Sequence, residues 1–311
     1  MISILCASLI LQSSPLVAGK TYDVPGGGRF DYMAVDSKYH RVFATHGTAQ
    51  TLSVLDLKTG KESEIKCGQV NGVQVDEKLS RVFVTGGGQT LVALDRKTLA
   101  KLNEVALEGP GDDLAIDTKR EQLYVCHDDG EDVWVFDAST LKKLATVKVA
   151  GAPEYIEYDA KTDKLYQNIK PTDQIQVIDP IKKAVSVSWP TGEEKGPHGL
   201  ALDRKTGIGF SAGSNGKLIA FDIKSGKILS TVDIAAGTDQ IAMDYGLGRV
   251  YCASRGFISV VQETSDGAKL LGNVVSPKGA HTIAVDPTTH DVWVCFGNAQ
   301  GAYLQKFSVA K

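Results

Sequence analysis

Seven polar side chains recur at one position of a repeated pattern in the sequence. Each stands five residues before an aspartate that ends a short apolar run, and successive aspartates are 40 to 44 residues apart. The seven are Asp31, Asn71, Asp112, Glu154, His198, Asp239 and His281. Carboxylates and imidazoles are the usual ligands of Zn, Mn and Cu(II), and carboxylates that face one another need a cation, a proton or water between them. The pattern therefore predicts a site for a divalent cation or a small polar ligand.

Five of these side chains fall on consecutive repeats and form the best set of metal ligands. They are Glu154, His198, Asp239, His281 and Asp31. Asn71 and Asp112 are expected to be outer or water-mediated ligand contacts. Because no H-x-x-x-H or C-x-x-C spacing supports a metal, three interpretations stay open: a Zn, Cu or Mn site, a ligand pocket without metal, and a solvated surface.

The repeat also predicts the elements that position these residues. After each aspartate comes a polar turn, an alternating β run such as RVFATH or QLYVCH, a loop, a third strand such as TLSVLD, and a turn such as LKTGK before a short fourth strand. Four strands per period of about 42 residues predict an all-β, seven-bladed β-propeller. Residues 20–25, KTYDVP, are expected to complete the last blade by pairing with AYLQKFSV, so that residues 20–311 form one domain.

Several strand sequences resemble a known repeat. RVFVTGG, QLYVCHD and RVYCASR, each followed by a third strand, are similar to the YVTN-type β-propeller repeat proteins over about residues 20 to 310. The resemblance implies the same fold. It implies no single function, since propellers of this kind include surface, binding and redox proteins.

In such a fold the first strand of each blade lines the central channel. The seven polar positions begin these strands and therefore lie at the mouth of the channel. We call this side the top face; the loops between second and third strands share it. Further candidates there are His46, His127, Arg255 and Trp189. The histidines are alternatively exposed loop residues, and Arg255 is either an anion-binding group or a lone surface arginine. Trp189 begins the insertion WPTGEEKGPHG, which is either a lid or a tolerated surface loop.

The N-terminus and the composition limit location and partners. Residues 2–18 are apolar and end in small residues before Lys20, which predicts an export signal over residues 1–19 or, alternatively, an N-terminal arm. The stretch is too short and too interrupted for a membrane span. The predicted location is periplasmic or secreted. With 34 Lys+Arg against 37 Asp+Glu, the chain offers no basic field for nucleic acid.

The sequence therefore predicts an exported binding or scaffold protein that holds a small ligand, a metal ion or a protein partner at the channel mouth. The alternative is a metal-dependent hydrolase, lyase or oxidoreductase with its site at the same place. Cys126 and Cys295 occupy the same strand position in different blades, and we expect them to be buried and unpaired.

Overall fold

The computed structural model describes residues 14–298 and 300–310, which form seven four-stranded antiparallel sheets. The helical structure in this part is one 3-10 turn, Lys170–Thr172. No helix among the described residues is long and apolar enough to cross a membrane.

The described residues form 28 strands, numbered here in chain order. The first five are β1 (Leu16–Val24), β2 (Met33–Asp36), β3 (Arg41–His46), β4 (Thr51–Asp56) and β5 (Glu62–Lys66). Next come β6 (Val73–Asp76), β7 (Arg81–Gly86), β8 (Thr90–Asp95), β9 (Lys101–Ala106), β10 (Gly111–Asp117), β11 (Gln122–His127), β12 (Asp132–Asp137) and β13 (Lys143–Lys148). They are followed by β14 (Pro153–Asp159), β15 (Lys164–Ile169), β16 (Gln174–Asp179), β17 (Ala184–Pro190), β18 (Pro197–Asp203), β19 (Ile208–Gly213), β20 (Lys217–Asp222) and β21 (Ile228–Asp233). The last are β22 (Gln240–Asp244), β23 (Arg249–Ala253), β24 (Phe257–Thr264), β25 (Gly267–Val275), β26 (Thr282–Val285), β27 (Val292–Asn298) and β28 (Gly301–Val309).

Blades 1 to 6 each take four consecutive strands, starting with β2, and blade 7 has the order β1-β28-β27-β26. The seven-bladed propeller predicted by the repeat is confirmed. Second and third strands are buried on both faces between neighbouring blades, which is why they read as continuous apolar runs such as RVFVTG. Fourth strands alternate between half-buried and exposed residues because only one face packs on the protein, as in β9, KLNEVA.

The repeat aspartates hold the turns on the face opposite the channel mouth, the bottom face. Asp117, for example, is fully buried, and its Oδ1 accepts hydrogen bonds from the backbone of Lys119 at 2.9 Å and of Arg120 at 3.1 Å. Salt bridges on this side connect neighbouring blades. Arg96 of blade 2 is 2% exposed and donates two hydrogen bonds, of 2.8 and 2.7 Å, to Asp36 of blade 1.

The ring closes between β1 and β28. Tyr22 lies opposite Leu304 and Val24 opposite Ala302, so the predicted pairing of residues 20–25 with the C-terminal strand is confirmed. The strand nevertheless begins four residues before the predicted start. Leu16 lies opposite Val309 and is 1% exposed in the core between blades 6 and 7. Residues 16–19 thus belong to the closing strand, while residues 1–13 of the predicted export segment lie outside the described residues.

The four cysteines of the described part are buried and free: Cys67, Cys126, Cys252 and Cys295. The prediction that Cys126 and Cys295 are buried and unpaired is confirmed.

Candidate functional site

The seven predicted positions stand where the chain enters each inner strand. Backbone bonds to the second strand of the same blade fix them there: Asp31 donates to the carbonyl of Thr45 at 3.2 Å, and Asp239 donates to that of Ala253 at 3.1 Å. Because the inner strands surround the channel, their first residues converge at its top mouth. We call the polar side chains of this mouth the ring.

Four members of the ring, from blades 4 to 7, form a continuous arc. His198 Nε2 lies 4.0 Å from Glu154 Oε2 and 3.9 Å from Asp239 Oδ1. His281 Nδ1 in turn lies 3.5 Å from Asp239 Oδ2. We call Glu154, His198, Asp239 and His281 the arc. Its side chains are close enough to share one bound ion or one small ligand.

The orientation of His198 is fixed by the loop before it. Its Nδ1 lies 2.8 Å from the carbonyl oxygen of Gly196, and a carbonyl only accepts, so Nδ1 carries the proton. In the neutral ring Nε2 is then a lone-pair acceptor that faces the carboxylates of Glu154 and Asp239. An acceptor nitrogen with two carboxylates about 4 Å from it leaves a space that suits a cation or a proton.

His281 closes the other end of the arc. It is 6% exposed, and its Nδ1 makes no hydrogen bond within the described part of the chain. Burial lowers the pKa of His281, which favours the neutral form of the ring, although the charge of Asp239 opposes this effect. Arg255 reaches the same carboxylate, with Nη2 3.0 Å from Asp239 Oδ2.

The arc is more open than a closed metal site. Ligands on one tetrahedral ion lie about 3.4 Å apart when each bond is about 2.1 Å, whereas the two carboxylates stand 4.0 and 3.9 Å from His198 Nε2. Among residues 14–298 and 300–310, no group of three or more His, Cys, Asp or Glu side chains is already arranged to hold a metal ion. A bound ion would have to draw the arc together by about 0.5 Å.

The rest of the ring, on blades 1 to 3, is acidic and begins with Asp31 on blade 1, next to blade 7 of the arc. Burial raises the pKa of Asp31 to about 7; Arg29 opposes this shift, and the charges of Asp239, Asp128 and Glu154 add to it.

The ring position of blade 3, Asp112, is more deeply buried. Burial raises the pKa of Asp112 well above its usual range, and the hydroxyl of Tyr32 donates to Asp112 Oδ2 at 3.2 Å. At neutral pH this side of the mouth therefore presents hydrogen-bond donors as well as negative charge.

Other predicted binding residues have structural contacts of their own. Asn71 donates through Nδ2 to the carbonyl of Gly111 at 3.1 Å and so connects blades 2 and 3. His46 is the last residue of β3 and is fully buried, so it is not an exposed loop residue. It stacks on Phe30 at 4.3 Å, and its Nε2 donates to the carbonyl of Gly27 at 3.2 Å.

His127 and Trp189 also lie outside the ring. His127 bonds through Nδ1 to Asp132 Oδ1 at 2.8 Å and stacks on Trp134. Trp189 lies on the outer strand β17 and packs against Tyr166 and Phe221, with centroid distances of 5.9 and 6.2 Å. Its apolar ring completes the packing between blades 4 and 5, so it is not placed at the channel mouth.

The insertion before blade 5 is anchored on both sides. Thr191 and Glu194 are fully buried. Gly196 donates through its N–H to Asp173 Oδ1 at 2.8 Å, and Lys195 Nζ lies 3.2 Å from Asp173 Oδ2. The loop is thus neither a detached lid nor a free surface insertion, and it holds the backbone that orients His198.

The ring includes charged residues that sequence reasoning missed. Lys170 Nζ lies 3.0 Å from Glu154 Oε1, and Arg29 Nη2 lies 3.8 Å from Asp31 Oδ1. The charge of Asp128 raises the pKa of Asp31 and of Asp112. All three stand in top-face loops, where the repeat sets no fixed offset. The sequence could have indicated two of them only by their position near the ring: Asp128 directly follows β11, and Arg29 precedes Asp31 by two residues.

Fold and site together define a seven-bladed β-propeller with an ionisable ring at its channel mouth. No protein-family model matches the chain, and no curated protein matches it in sequence. The resemblance to YVTN-type repeats therefore stays a prediction.

Solved structures resemble the chain in fold. One is a chain of the crystal structure of the mitotic checkpoint complex, with 13% identity, a TM-score of 0.81, and coverage of 94% of this chain and 92% of that chain. Another is hydrazine synthase of Kuenenia stuttgartiensis, with 12% identity, a TM-score of 0.75, and coverage of 90% and 97%. At this identity the likeness shows the fold alone.

Proposed function

We propose that this protein is an exported binding protein whose channel mouth holds a divalent cation, Zn, Cu or Mn, and with it a small ligand. A propeller suits this role because its rigid blades place side chains from distant parts of the sequence around one axis. The arc supplies the donors, from blades 4, 5, 6 and 7.

The observation that carries the proposal is the fixed tautomer of His198. Metal-binding histidines usually donate their second ring N–H to a carbonyl or carboxylate, which orients the lone pair toward the ion. His198 has this arrangement, with Gly196 as the acceptor and two carboxylates facing Nε2. His281 supplies a second buried imidazole, whose Nδ1 lies 3.5 Å from Asp239 and has no hydrogen-bond partner among the described residues.

The decisive experiment measures melting temperature in the presence of Zn, Cu or Mn after treatment with chelator. An ion that binds only the folded state stabilises it by about 2.7 kcal/mol at a hundred times its dissociation constant. We expect a saturable rise in wild type and its loss in the His198→Ala, His281→Ala double variant. An unchanged ion response in the double variant would overturn the arc as the site.

The matched controls are His40→Ala and His290→Ala, which change histidines of the bottom face. His290 bonds to Asp244 at 2.9 Å and has no contact with the arc; the control variants should retain the full ion response. An ion that stabilises without turnover fits a binding role. Hydrolysis of an activated ester by the loaded wild type, absent in the double variant, would instead favour the metal-dependent enzyme.

A further inference from the structure

A cleft lined by two arginines lies directly beside the arc. It has a volume of about 460 Å³ between blades 6, 7 and 1. Arg29 and Arg255 line it, with His281 as the residue it shares with the arc. The arginine side chains are 71% and 57% exposed, so their charged ends are open to solvent.

Most of the guanidinium donors in this cleft make no hydrogen bond to any residue that the structure describes. Each guanidinium carries five N–H groups. Within the described residues, the Arg255 side chain makes one hydrogen bond, from Nη2 to Asp239 at 3.0 Å. The Arg29 side chain makes no hydrogen bond within the described residues. Its one carboxylate contact is to Asp31, with Nη2 3.8 Å from Oδ1.

The backbone beneath both arginines is rigid. Gly28 has a φ of +110° and packs so closely on Thr48 and Gly297 that neither Gly28 nor Gly297 has room for a side chain. The next amide, that of Arg29, donates to Thr48 Oγ1 at 3.0 Å. Arg255 has a φ of +52°, and its N–H bonds to Ala280 at 2.8 Å. Both side chains therefore project from fixed positions.

We infer that this cleft binds the oxyanion of a small ligand, a carboxylate or a phosphate, whose other end reaches the cation in the arc. Guanidinium groups are the preferred protein partners of such oxyanions because the donors of one guanidinium match two oxygens at once. The arc and the cleft meet at His281, so one short molecule can contact both. The bridging part rests on the proposed function, whereas the anion site stands without it.

The test uses the full chain after removal of metal. Succinate and inorganic phosphate are titrated separately at constant ionic strength, with chloride as the reference anion, and the melting temperature is recorded. We expect a saturable rise with at least one of the two, and the responding anion identifies the group. The Arg29→Gln, Arg255→Gln double variant should weaken that binding at least tenfold.

The matched control is the Lys58→Gln, Lys224→Gln double variant. It also removes two positive charges, from exposed turns on the bottom face, and should bind as wild type does. No saturable response in wild type, or an equal response in the arginine double variant, would overturn the anion site.

A second arm separates this inference from the cation proposal. With saturating Mn present, the affinity of wild type for the anion that responded, succinate or phosphate, should increase several-fold, because each ligand favours the other by the same factor. An unchanged affinity would overturn the bridging part and leave the anion site. A missing ion response with anion binding intact would overturn the cation proposal, and with it the bridging part, and would leave the anion site.

Discussion

At the scale of single residues, a buried glutamic acid, Glu194, lies in the loop that holds His198 at the channel mouth. Glu194 enters between blades 4 and 5, where its Oε1 accepts a hydrogen bond from Ser211 Oγ at 2.7 Å. Its Oε2 has no partner within the described part. Burial raises the pKa of Glu194 to about 8, so the folded protein holds a proton there at neutral pH.

This proton makes stability depend on pH. Between the ordinary pKa of 4.5 and about 8, the folded state binds a proton that the unfolded chain has released. The contribution of this proton is complete below 4.5 and is lost as the pH rises through about 8.

We therefore predict that Glu194→Gln flattens the pH dependence of the free energy of unfolding between pH 5 and 8. Glutamine keeps the shape and the polar contact but cannot ionise. At pH 8 the variant should be more stable than wild type by on the order of 1–2 kcal/mol. Urea unfolding at pH 5, 7 and 8.5 measures this.

The control for this substitution is Glu193→Gln, since the side chain of Glu193 is 72% exposed. It should follow the pH dependence of wild type. The same slope in Glu194→Gln and wild type would show that Glu194 is already ionised at neutral pH in the folded protein.

The ring shows which site residues a sequence can supply. Asp239 and His281 were identifiable because each stands at a fixed offset from a repeat aspartate. Arg29 and Asp128 were not, because loop length and loop conformation bring them to the mouth, and neither follows the repeat. His46 was assigned to the loop after the second strand, but it is the last residue of β3, and its burial against Phe30 depends on a stacking contact that has no sequence signal.

At the scale of elements, the closing strand gives the sharpest prediction. Leu16→Ala should lower the free energy of unfolding by about 2–4 kcal/mol, because it removes a side chain buried between two blades. Val17→Ala is the control, since Val17 is 57% exposed on the same strand. Removal of residues 1–25 should be more severe, because it also leaves the edge of β28 unpaired.

Equilibrium unfolding in urea measures the two point variants, and thermal melting measures the truncation. Equal effects of Leu16→Ala and Val17→Ala would contradict the packing of Leu16. A truncated chain that melts like the full chain would contradict ring closure by β1.

The sequence predicted strands correctly where it fitted one interpretation, and failed where the same residues fitted two. The second and third strands followed from alternation and from the turns that bound them. The start of β1 did not, because the apolar residues 16–18 match the end of an export signal as well as a strand. Trp189 was assigned to a loop because it begins the insertion that the longest repeat spacing marks, yet β17 continues through Pro190.

At the scale of the whole molecule, the packing of the blades predicts inert thiols. Cys67, Cys126, Cys252 and Cys295 are all buried, and burial raises the pKa of Cys67 to about 11. Because the thiolate is the reactive form, these four should resist alkylation in the native protein and react fully after unfolding. Mass spectrometry of alkylated peptides measures both.

Wild-type protein in denaturant is the control for that measurement. Rapid native labelling of Cys126 or Cys295, or a disulfide peptide joining them, would contradict the blade assignment.

The architecture was available from the sequence because the period recurs seven times and every repeat carries the same turn signal. The function of the ring could not be predicted from the sequence, because the fold is shared with proteins of 12 to 13% identity and different roles.

Ring closure also determines the orientation of the protein when either end of the propeller is attached to a surface. The backbone N–H of Ala310 bonds to the carbonyl of Pro15 at 3.2 Å, and Leu16 lies beside Val309 at the bottom end of blade 7. An anchor or a fusion partner attached near either position would leave from the same bottom edge. Immobilised in this way, the protein would present its channel mouth outward, unobstructed by its own tether.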